Sequence, residues 1–442
     1  MVGVGSSSEG VSPSTGLPAP AGMGLLAPDP IFPQRDALLD EKIIGARIAA
    51  FLATAAAAPC ERKQVRYRPR RDLQVLYRVG ADSDASLVSV HAFAPGESAA
   101  VYAQALAGAG DEGPRPWVAH VPDLDAVFWA FPHDRAIVGL PVLANPPLDL
   151  RSMVPGWSGS EFLTYLPARS AVVRCLDGEG RPLAYAKAYA DDRGARTRRA
   201  MDAFRASRRS DAEPLRTPAA LGYSFDWRVL ATEPMAGHPM TELEGAALEL
   251  ECRRLGEALA AMHAAPVSDL PAFERHGSRR LATATQTIAL AVPDAEVSVG
   301  RLVARLEATH AGGETASVCL HGDVKMPNVI VGQHDLAIID FDTACFGPPE
   351  ADLGHFLGVL RAERCLGRRS APETGRLEAS FLDGYLRGDR RFEAAALAWH
   401  TAASMLIKRA ARLVTTARSH TLRHLPTILA EASQALEGVA KI

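Results

Sequence analysis

Three oxygen-bearing side chains in one short stretch could act together chemically. The stretch runs from His321 to Asp342 and reads HGDVKMPNVIVGQHDLAIIDFD. Asn328 follows Asp323 by five residues, and Asp340 follows Asn328 by twelve. Only two asparagines occur in the chain, which makes the position of this one informative. An amide oxygen between two carboxylates suits a site that needs a neutral ligand.

The residues between Asn328 and Asp340 predict a β-hairpin. Two apolar runs, 329–331 and 336–339, flank the turn-like tetrapeptide GQHD. If Leu336 joins the loop, Asn328 lies opposite Asp340, whereas a tighter loop offsets the two by one residue. Opposed residues have Cβ atoms about 5 Å apart, close enough to share a divalent cation. Mg²⁺ is commonly held by few protein oxygens together with phosphate and water oxygens, so we predict Asn328 and Asp340 as its ligands.

Asp323 lies in the loop before this hairpin, after His-Gly and two residues before Lys325. A carboxylate in that position could accept the proton of a hydroxyl group, while the lysine could contact a phosphoryl group in transfer. We therefore predict Asp323 and Lys325 as catalytic residues.

The spacing His-Gly-Asp-x4-Asn-x11-Asp resembles the active-site sequence of the aminoglycoside phosphotransferase family. HGDVKMPN is similar to the catalytic loop of that family, and IIDFD is similar to its metal-binding segment. The resemblance implies an α+β, bilobal, protein-kinase-like fold with a β-rich N-lobe and a helical C-lobe. It also implies ATP and Mg²⁺ as cofactors and the hydroxyl group of a small molecule as acceptor.

The same resemblance assigns roles to residues outside the hairpin. It implies that Lys187, in LAYAKAYA, contacts the ATP phosphates, and that Glu233 and Met235 lie in a hinge that contacts adenine. The family commonly has a glutamate on the helix after the lysine strand, but GARTRRAMDAFRAS contains only Asp202 as an acid. Either Asp202 pairs with Lys187, or Glu213 does, or the lysine is oriented otherwise.

Two segments of the first half resemble each other. Those that begin at Tyr67 and Tyr165 both read Tyr-x-Pro-x-Arg and continue as a strand, a turn with Asp and Gly, and a second strand. A helix-like stretch and an apolar strand follow in each, which indicates a degenerate repeat. The first copy has His91 where the second has Lys187, so we expect the first to have lost the lysine's function.

Composition and periodicity divide the chain into four parts. Residues 1–38 lack apolar periodicity and read as a disordered leader. We predict an extra N-terminal β-containing cap domain at 39–150, a degenerate copy of the N-lobe. The nucleotide-binding N-lobe follows at 151–237, and the helical catalytic and substrate-binding C-lobe at 238–442.

Charge and hydropathy limit the partners. The net charge of -3 and the 22% of charged residues give no basic field for nucleic acid. No apolar run reaches the roughly 18 residues of a membrane span. Six widely spaced cysteines favour reduced thiols in a cytoplasmic protein.

Other interpretations remain open at this stage. The missing helix glutamate and the worn repeat would also suit a nucleotide-binding pseudokinase that acts as an interaction module. A protein kinase for Ser or Thr is disfavoured because no Gly-rich loop or activation segment is visible. We expect Asp352 to support the catalytic loop, and Lys408, Arg409 and Arg412, at helical spacing, to form a solvated face. The acceptor cannot be read from the sequence, although a sugar or natural-product hydroxyl is favoured over a polycationic antibiotic.

Overall fold

A computed structural model describes residues 25–54, 58–81, 85–107, 117–207, 215–267, 270–309, 317–388 and 390–437. The first 24 residues of the predicted leader and Glu213 lie outside these ranges. Within them, no helix has the length and hydropathy that crossing a membrane requires.

The first part of the chain is built around a five-stranded antiparallel sheet with strand order β1-β2-β3-β5-β4. A helix connects its third and fourth strands. The elements are α1 (Arg35–Leu39), α2 (Glu41–Leu52), β1 (Cys60–Arg68), β2 (Asp72–Val79), β3 (Ser86–Ala92), α3 (Ser98–Ala107), β4 (Val118–Val121), β5 (Ala126–Ala130), α4 (Leu140–Ala144) and α5 (Leu148–Met153).

A second five-stranded antiparallel sheet follows, with the order β6-β7-β8-β11-β10. Its elements are β6 (Gly159–Leu166), β7 (Ser170–Leu176), β8 (Pro182–Tyr189), α6 (Arg193–Ser207), β9 (Leu215–Arg216), β10 (Ala220–Ser224) and β11 (Val229–Thr232). The short β9 belongs to a different sheet, in which it pairs with β15 (Leu336–Ile338).

The two five-stranded sheets share one topology. Each has three strands in sequence, a helix, and then two strands whose spatial order is reversed. The registers also agree. In the first sheet His91 lies opposite Gln74, next to the pair Leu73–Ala92. In the second sheet Lys187 lies opposite Val172, next to the corresponding pair Ala171–Ala188. This shared arrangement supports the predicted repeat.

The remainder of the chain is mainly helical, as the amphipathic periodicity predicts. Its elements are β12 (His238–Pro239), α7 (Gly245–Ala264), α8 (Ser278–Ala291), α9 (Glu296–Thr309), β13 (Val318–Leu320), β14 (Val329–Val331), β15, β16 (Cys345–Gly347), α10 (Glu350–Cys365), α11 (Ala371–Arg387), α12 (Ala394–Ser404), α13 (Ala411–Thr416), α14 (Ser419–Leu422) and α15 (Leu425–Ala435). A π-helical segment, Met405–Ala410, joins α12 to α13.

Two large apolar cores hold these parts together. In one, buried residues of the first sheet such as Val90 pack with Ile288 of α8, Leu302 of α9 and Ile428 of α15. In the other, residues of α6, α7, α10 and α11 pack with β14, β15 and the buried side chain of Phe341. The first sheet therefore rests on the helical lobe, which places it beside the site described below.

The leader prediction is wrong for residues 25–38. Leu26, Phe32 and Leu38 are buried in the first core, and α1 begins at Arg35. Asp29 accepts hydrogen bonds from the hydroxyl of Tyr67 and from the backbone of Ile31. The segment lacks helical or strand periodicity because isolated apolar side chains, rather than a continuous face, anchor it.

Candidate active site

A buried aspartate fixes the catalytic loop. Asp352, at the start of α10, accepts hydrogen bonds from the backbone nitrogens of His321 and Gly322, both at 2.7 Å. His263 of α7 lies 3.4 Å from the same carboxylate and contacts the hydroxyl of Tyr385 at 2.9 Å through its other ring nitrogen. The predicted supporting role of Asp352 is confirmed by these contacts.

Gly322 turns the loop into the cleft. Its φ of +78° lies in the left-handed region, and a Cβ atom there would overlap the carbonyl oxygen of Thr343. The side chain of His321 contacts the carbonyl oxygen of Ile339 at 3.0 Å. Glycine is therefore required where the loop passes the strand end that carries Asp340.

Asp323 projects from this turn into a cluster of cationic and imidazole groups. Its carboxylate lies 2.6 Å from Nζ of Lys325, 3.0 Å from Nζ of Lys408 and 3.2 Å from Nε2 of His355. Lys408 also donates to the carbonyl oxygen of Gly322 at 3.0 Å. The structure thus brings together Asp323 and Lys325, the predicted catalytic residues, and adds two groups that the sequence did not indicate.

These contacts set the protonation states. Burial alone would raise the pKa of Asp323, but the hydrogen bond from His355 and the charges of Lys408 and Lys325 lower it well below its usual range. Burial lowers the pKa of His355 to about 3, with the charge of Lys408 acting in the same direction, so this ring is neutral. Burial lowers the pKa of Lys408 to about 8, even though Asp323 opposes the shift. At neutral pH the site therefore holds a carboxylate between two ammonium groups.

The prediction that Lys408, Arg409 and Arg412 form a solvated face is wrong for the first two. Lys408 lies at the carboxylate of Asp323, with its side chain only 18% exposed, and the Nε atom of Arg409 is buried. Both residues lie in the π-helical segment. A π turn changes which side of a helix the following residues face, and such turns are frequent at functional sites. The 3- and 4-residue spacing of an ideal α-helix therefore gave the wrong face.

The hairpin adopts the tighter of the two predicted registers. Val331 pairs with Leu336 and Val329 with Ile338, which leaves residues 332–335 as the loop. The backbone nitrogen of Ile339 consequently donates to the carbonyl oxygen of Asn328 at 2.9 Å. Asp340 comes one residue later and has a φ of +69°, which is rare for a residue other than glycine. This turn of the backbone gives Asp340 its place in the cleft.

The side chains at this position fit a Mg²⁺ ion. Asn328 donates its Nδ2 to the carbonyl oxygen of Asp323 at 3.1 Å, which leaves the amide oxygen for a cation. Asp340 already accepts a hydrogen bond from the positively charged Nζ of Lys187 at 2.8 Å, so its carboxylate can be near a cation. Among the described residues no group of three or more His, Cys, Asp or Glu side chains could hold a metal. A Mg²⁺ ion held by two protein oxygens would complete its shell with phosphate and water oxygens.

Lys187 points into the cleft from β8, and its acidic partner is not the predicted one. It donates to Asp340 and to Asp342, both at 2.8 Å. Asp342 is held in turn by the hydroxyls of Tyr189, at 2.8 Å, and Thr197 of α6, at 3.1 Å. Burial opposes the charge on Lys187, but the two carboxylates raise the pKa of this lysine overall.

Asp202 lies elsewhere. It pairs with Arg198, one turn earlier on α6, and its side chain is 52% exposed. The pairing of Asp202 with Lys187 is therefore wrong, and the open alternative of another lysine orientation is the one observed. The second aspartate of IIDFD, two residues after Asp340, was the sequence signal for the actual partner.

The predicted hinge joins β11 to β12. Glu233 donates its backbone nitrogen to Ala219, and its carboxylate accepts from the backbone of Ala219 at 2.7 Å and from Arg205 at 3.1 Å. Met235 follows and is half-buried. The side chain of Glu233 thus fixes the strand end, while contact of this segment with adenine stays a prediction.

The cleft between the second sheet and the helical lobe has a volume of about 1040 Å³. Its lining includes Asp323, Lys325, Lys187, Asp340 and Asp342. The cysteines nearest in sequence, Cys319 and Cys345, are free and buried, and burial raises their pKa values to about 11 and 12. The chemistry of the cleft therefore rests on carboxylates and cations.

One family of known proteins matches more than half of the chain. Residues 150–403, more than half of the chain, match the model of the phosphotransferase enzyme family. Among solved structures, the chain is similar to a choline/ethanolamine kinase family protein from Mesorhizobium loti, at 16% identity and a TM-score of 0.49, over 68% of this chain and 97% of that one. It is also similar to a spectinomycin phosphotransferase in complex with ADP and spectinomycin, at 13% identity and a TM-score of 0.46, over 66% and 97% of the two chains. The search of curated proteins found no match.

Proposed function

The chain belongs to the phosphotransferase enzyme family, and from that premise we propose that it transfers the γ-phosphoryl group of ATP, with Mg²⁺, to a hydroxyl group of a small molecule. A sugar, an aminoglycoside or a related natural product would serve as acceptor. A cytoplasmic location, where ATP is present and thiols stay reduced, is part of this proposal.

The observation that carries the proposal is the position of Asp323. Its carboxylate lies in the same cleft as the Lys187–Asp340 pair and is held on three sides by Lys325, Lys408 and His355. A carboxylate fixed in this way can orient an acceptor hydroxyl for in-line attack. Catalysis of phosphoryl transfer depends mainly on such positioning and on charge neutralisation.

The residues divide the work as follows. Lys187 would hold the ATP phosphates, and Asn328 and Asp340 would hold Mg²⁺, which neutralises the charge of the phosphate oxygens when bound. The acceptor oxygen forms a bond to the γ-phosphorus while the bond from that phosphorus to the β–γ bridging oxygen breaks, and ADP leaves with the electron pair. The hydroxyl proton passes to Asp323 and from there to water.

A low pKa at Asp323 is compatible with this role. In a loose transition state the acceptor oxygen loses its proton late, so orientation matters more than basicity. Lys325 and Lys408, both within 3.0 Å of Asp323, would also balance the charge of the phosphoryl group in transfer.

A nucleotide-binding pseudokinase remains the second candidate, favoured by the close packing of the first sheet on the helical lobe. An interaction module built on a kinase fold would need such packing without turnover. The absence of a helix glutamate no longer favours it, because Asp342 supplies a partner for Lys187.

The experiment is Mg²⁺-dependent ATP consumption by the purified protein against pools of sugars, aminoglycosides and amino alcohols. Asp323→Asn is measured alongside, with Asp294→Asn as a control for an exposed aspartate of the same lobe. We expect one pool to stimulate consumption, Asp323→Asn to abolish the stimulation and Asp294→Asn to retain it. Nucleotide binding without stimulation by any pool would favour the pseudokinase.

A further inference from the structure

The cleft continues past Lys325 into a second cavity of about 510 Å³. Its walls come from three parts of the chain: Gln64 and Arg66 of β1, Arg169 in the turn between β6 and β7, and Arg412 of α13. Lys325 lines both cavities, whereas Lys187 and Asp340 line only the larger one. Asp323 also lines only the larger cavity, but Lys325, 2.6 Å from its carboxylate, joins the two. The second cavity therefore adjoins the Asp323–Lys325 part of the cleft and lacks the predicted phosphate and Mg²⁺ ligands.

This second cavity is strongly cationic. Seven of the described residues that line it are Lys or Arg. None of the described lining residues is Asp or Glu. In the larger cleft, eleven lysines and arginines face three aspartates among the lining residues that the structure describes. Those aspartates are already engaged, Asp323 by Lys325 and Lys408, and Asp340 and Asp342 by Lys187. Most of the positive charge in the two cavities has no carboxylate partner within them.

Buried guanidinium atoms point to a missing counter-ion. The Nε atom of Arg409 is buried and has no hydrogen-bond partner in the described part of the chain. The Nε atom of Arg66 is also buried without a hydrogen-bond partner among the described residues, although the Nη2 atom of the same side chain pairs with Asp72 at 3.1 Å. Burial and the nearby charge of Arg412 lower the pKa of Arg409 to about 10, against the opposing effect of Asp323. Burial also lowers the pKa of Arg169, and the charges of neighbouring arginines, Arg66 and Arg412 among them, add to the shift. Unsatisfied donors and like charges held together are costly unless an anion binds between them.

We propose that the acceptor is an anion, a small alcohol that already carries a phosphate or carboxylate group. Its charged group lies in the second cavity among Arg66, Arg169 and Arg412, and its hydroxyl group reaches Asp323. The inference rests on the proposed function and narrows its acceptor class. It also gives the first sheet a role, since β1 and β2 form one wall of the acceptor cavity.

The test uses matched pairs of alcohols that differ in charge: glucose with glucose 6-phosphate, glucose with gluconate, and glycerol with glycerol 3-phosphate. Kanamycin serves as a cationic probe. Binding is measured as the shift in melting temperature of the full chain saturated with AMP-PNP and Mg²⁺, and turnover as ATP consumption. The phosphate and carboxylate members separate the two sources of negative charge.

Two substitutions and one control localise the effect. Arg412→Gln and Arg66→Gln each remove one charge from the cavity, and Arg423→Gln removes one from the exposed surface near α15. We expect only anionic probes to bind and to stimulate turnover. Each cavity variant should raise KM for the best anion about tenfold or more with kcat changed less than about threefold, because binding to ground and transition state weakens equally. Arg423→Gln should match the unmodified protein.

Three outcomes would overturn the inference: neutral members that act as well as their anionic partners, anion binding that survives both cavity substitutions, or no response to any anion. If the acceptor is neutral or cationic and its phosphorylation requires Asp323, the proposed function is retained and the inference of an anionic acceptor is rejected. Conversely, Arg412-dependent binding of an anion to a protein that never consumes ATP would retain the anion site and reject the kinase.

Discussion

Replacing Asp342 with Asn should lower kcat/KM for ATP more than replacing Asp202 of α6 with Asn. The substitution keeps the size of the side chain but removes one of the two carboxylates at Lys187, which lies 2.8 Å from each. The contact is largely buried, with side-chain exposures of 22% for Lys187 and 12% for Asp342. Lys187 would then contact Asp340 alone. We expect Asp340 to bind Mg²⁺ when the ion is present, and Lys187 would lose that contact as well.

The magnitude follows from the type of contact. A hydrogen bond between charged groups contributes about 1.5–3 kcal/mol, which corresponds to roughly 10- to 150-fold in kcat/KM for ATP. Surface ion pairs contribute about 0–1 kcal/mol. Asp202→Asn, which breaks only the exposed contact with Arg198, is therefore expected to change kcat/KM less than about threefold.

The assay is steady-state turnover with varied ATP, together with AMP-PNP binding in the presence and absence of Mg²⁺. Because Asp342 is proposed to act through Lys187, Asp342→Asn should weaken AMP-PNP binding even without the metal. A larger loss in Asp202→Asn than in Asp342→Asn would refute the reasoning and restore the α6 aspartate as the partner of Lys187. An effect confined to Mg²⁺-containing samples would show instead that Asp342 acts on the metal.

Three further predictions concern the loop, the lysine behind it and the first sheet. Because the pKa of Lys408 is about 8, kcat/KM should fall on the alkaline side of that value. Lys408→Arg should move this fall to higher pH, and an unchanged pH profile would exclude Lys408 as its cause. Gly322→Ala should lower the free energy of unfolding in urea by about 1–3 kcal/mol, whereas Gly375→Ala, in an open part of α11, should raise it by about 0.5–1 kcal/mol, and equal effects would contradict the assigned strain. Deleting residues 1–150 exposes apolar faces of α8, α9 and α15 and should lower the melting temperature or solubility, so an unchanged melting temperature would count against the described packing.

The part of the site that sequence predicts is the part built by neighbouring residues. His321 through Asp340 form one loop and one hairpin, so their types and spacing contain the geometry that brings Asp323, Asn328 and Asp340 together. Even there, the sequence allowed two registers that differ in loop length, and the structure has the tighter loop. Helices were predictable for a similar reason, because their apolar spacing is local.

The parts that sequence missed are contacts between distant residues. Lys408 and His355 reach Asp323 from 85 and 32 positions away, and Asp342 reaches Lys187 from 155 positions away. The sequence singles out Asp342 as the second aspartate of IIDFD, but no local pattern shows which distant residue each of these side chains contacts. An acid on α6 was one of the alternatives for the partner of Lys187, but the helix supplies the hydroxyl of Thr197, which holds the acid of another segment in place.

We predict that the first sheet is a degenerate copy of the nucleotide lobe, and its residues indicate a different task. His91 occupies the register position of Lys187, but it is buried against Gln74 and Ser89, and burial lowers its pKa to about 4. A neutral, enclosed imidazole cannot replace an ammonium group that reaches for phosphates. Among the cations of this sheet, Arg66 of β1 lines the second cavity, which we propose to hold the acceptor. If the first sheet is such a copy and the acceptor is an anion, the copy has lost its interior lysine and gained an arginine at its edge, and it would contribute to binding of the acceptor instead of ATP.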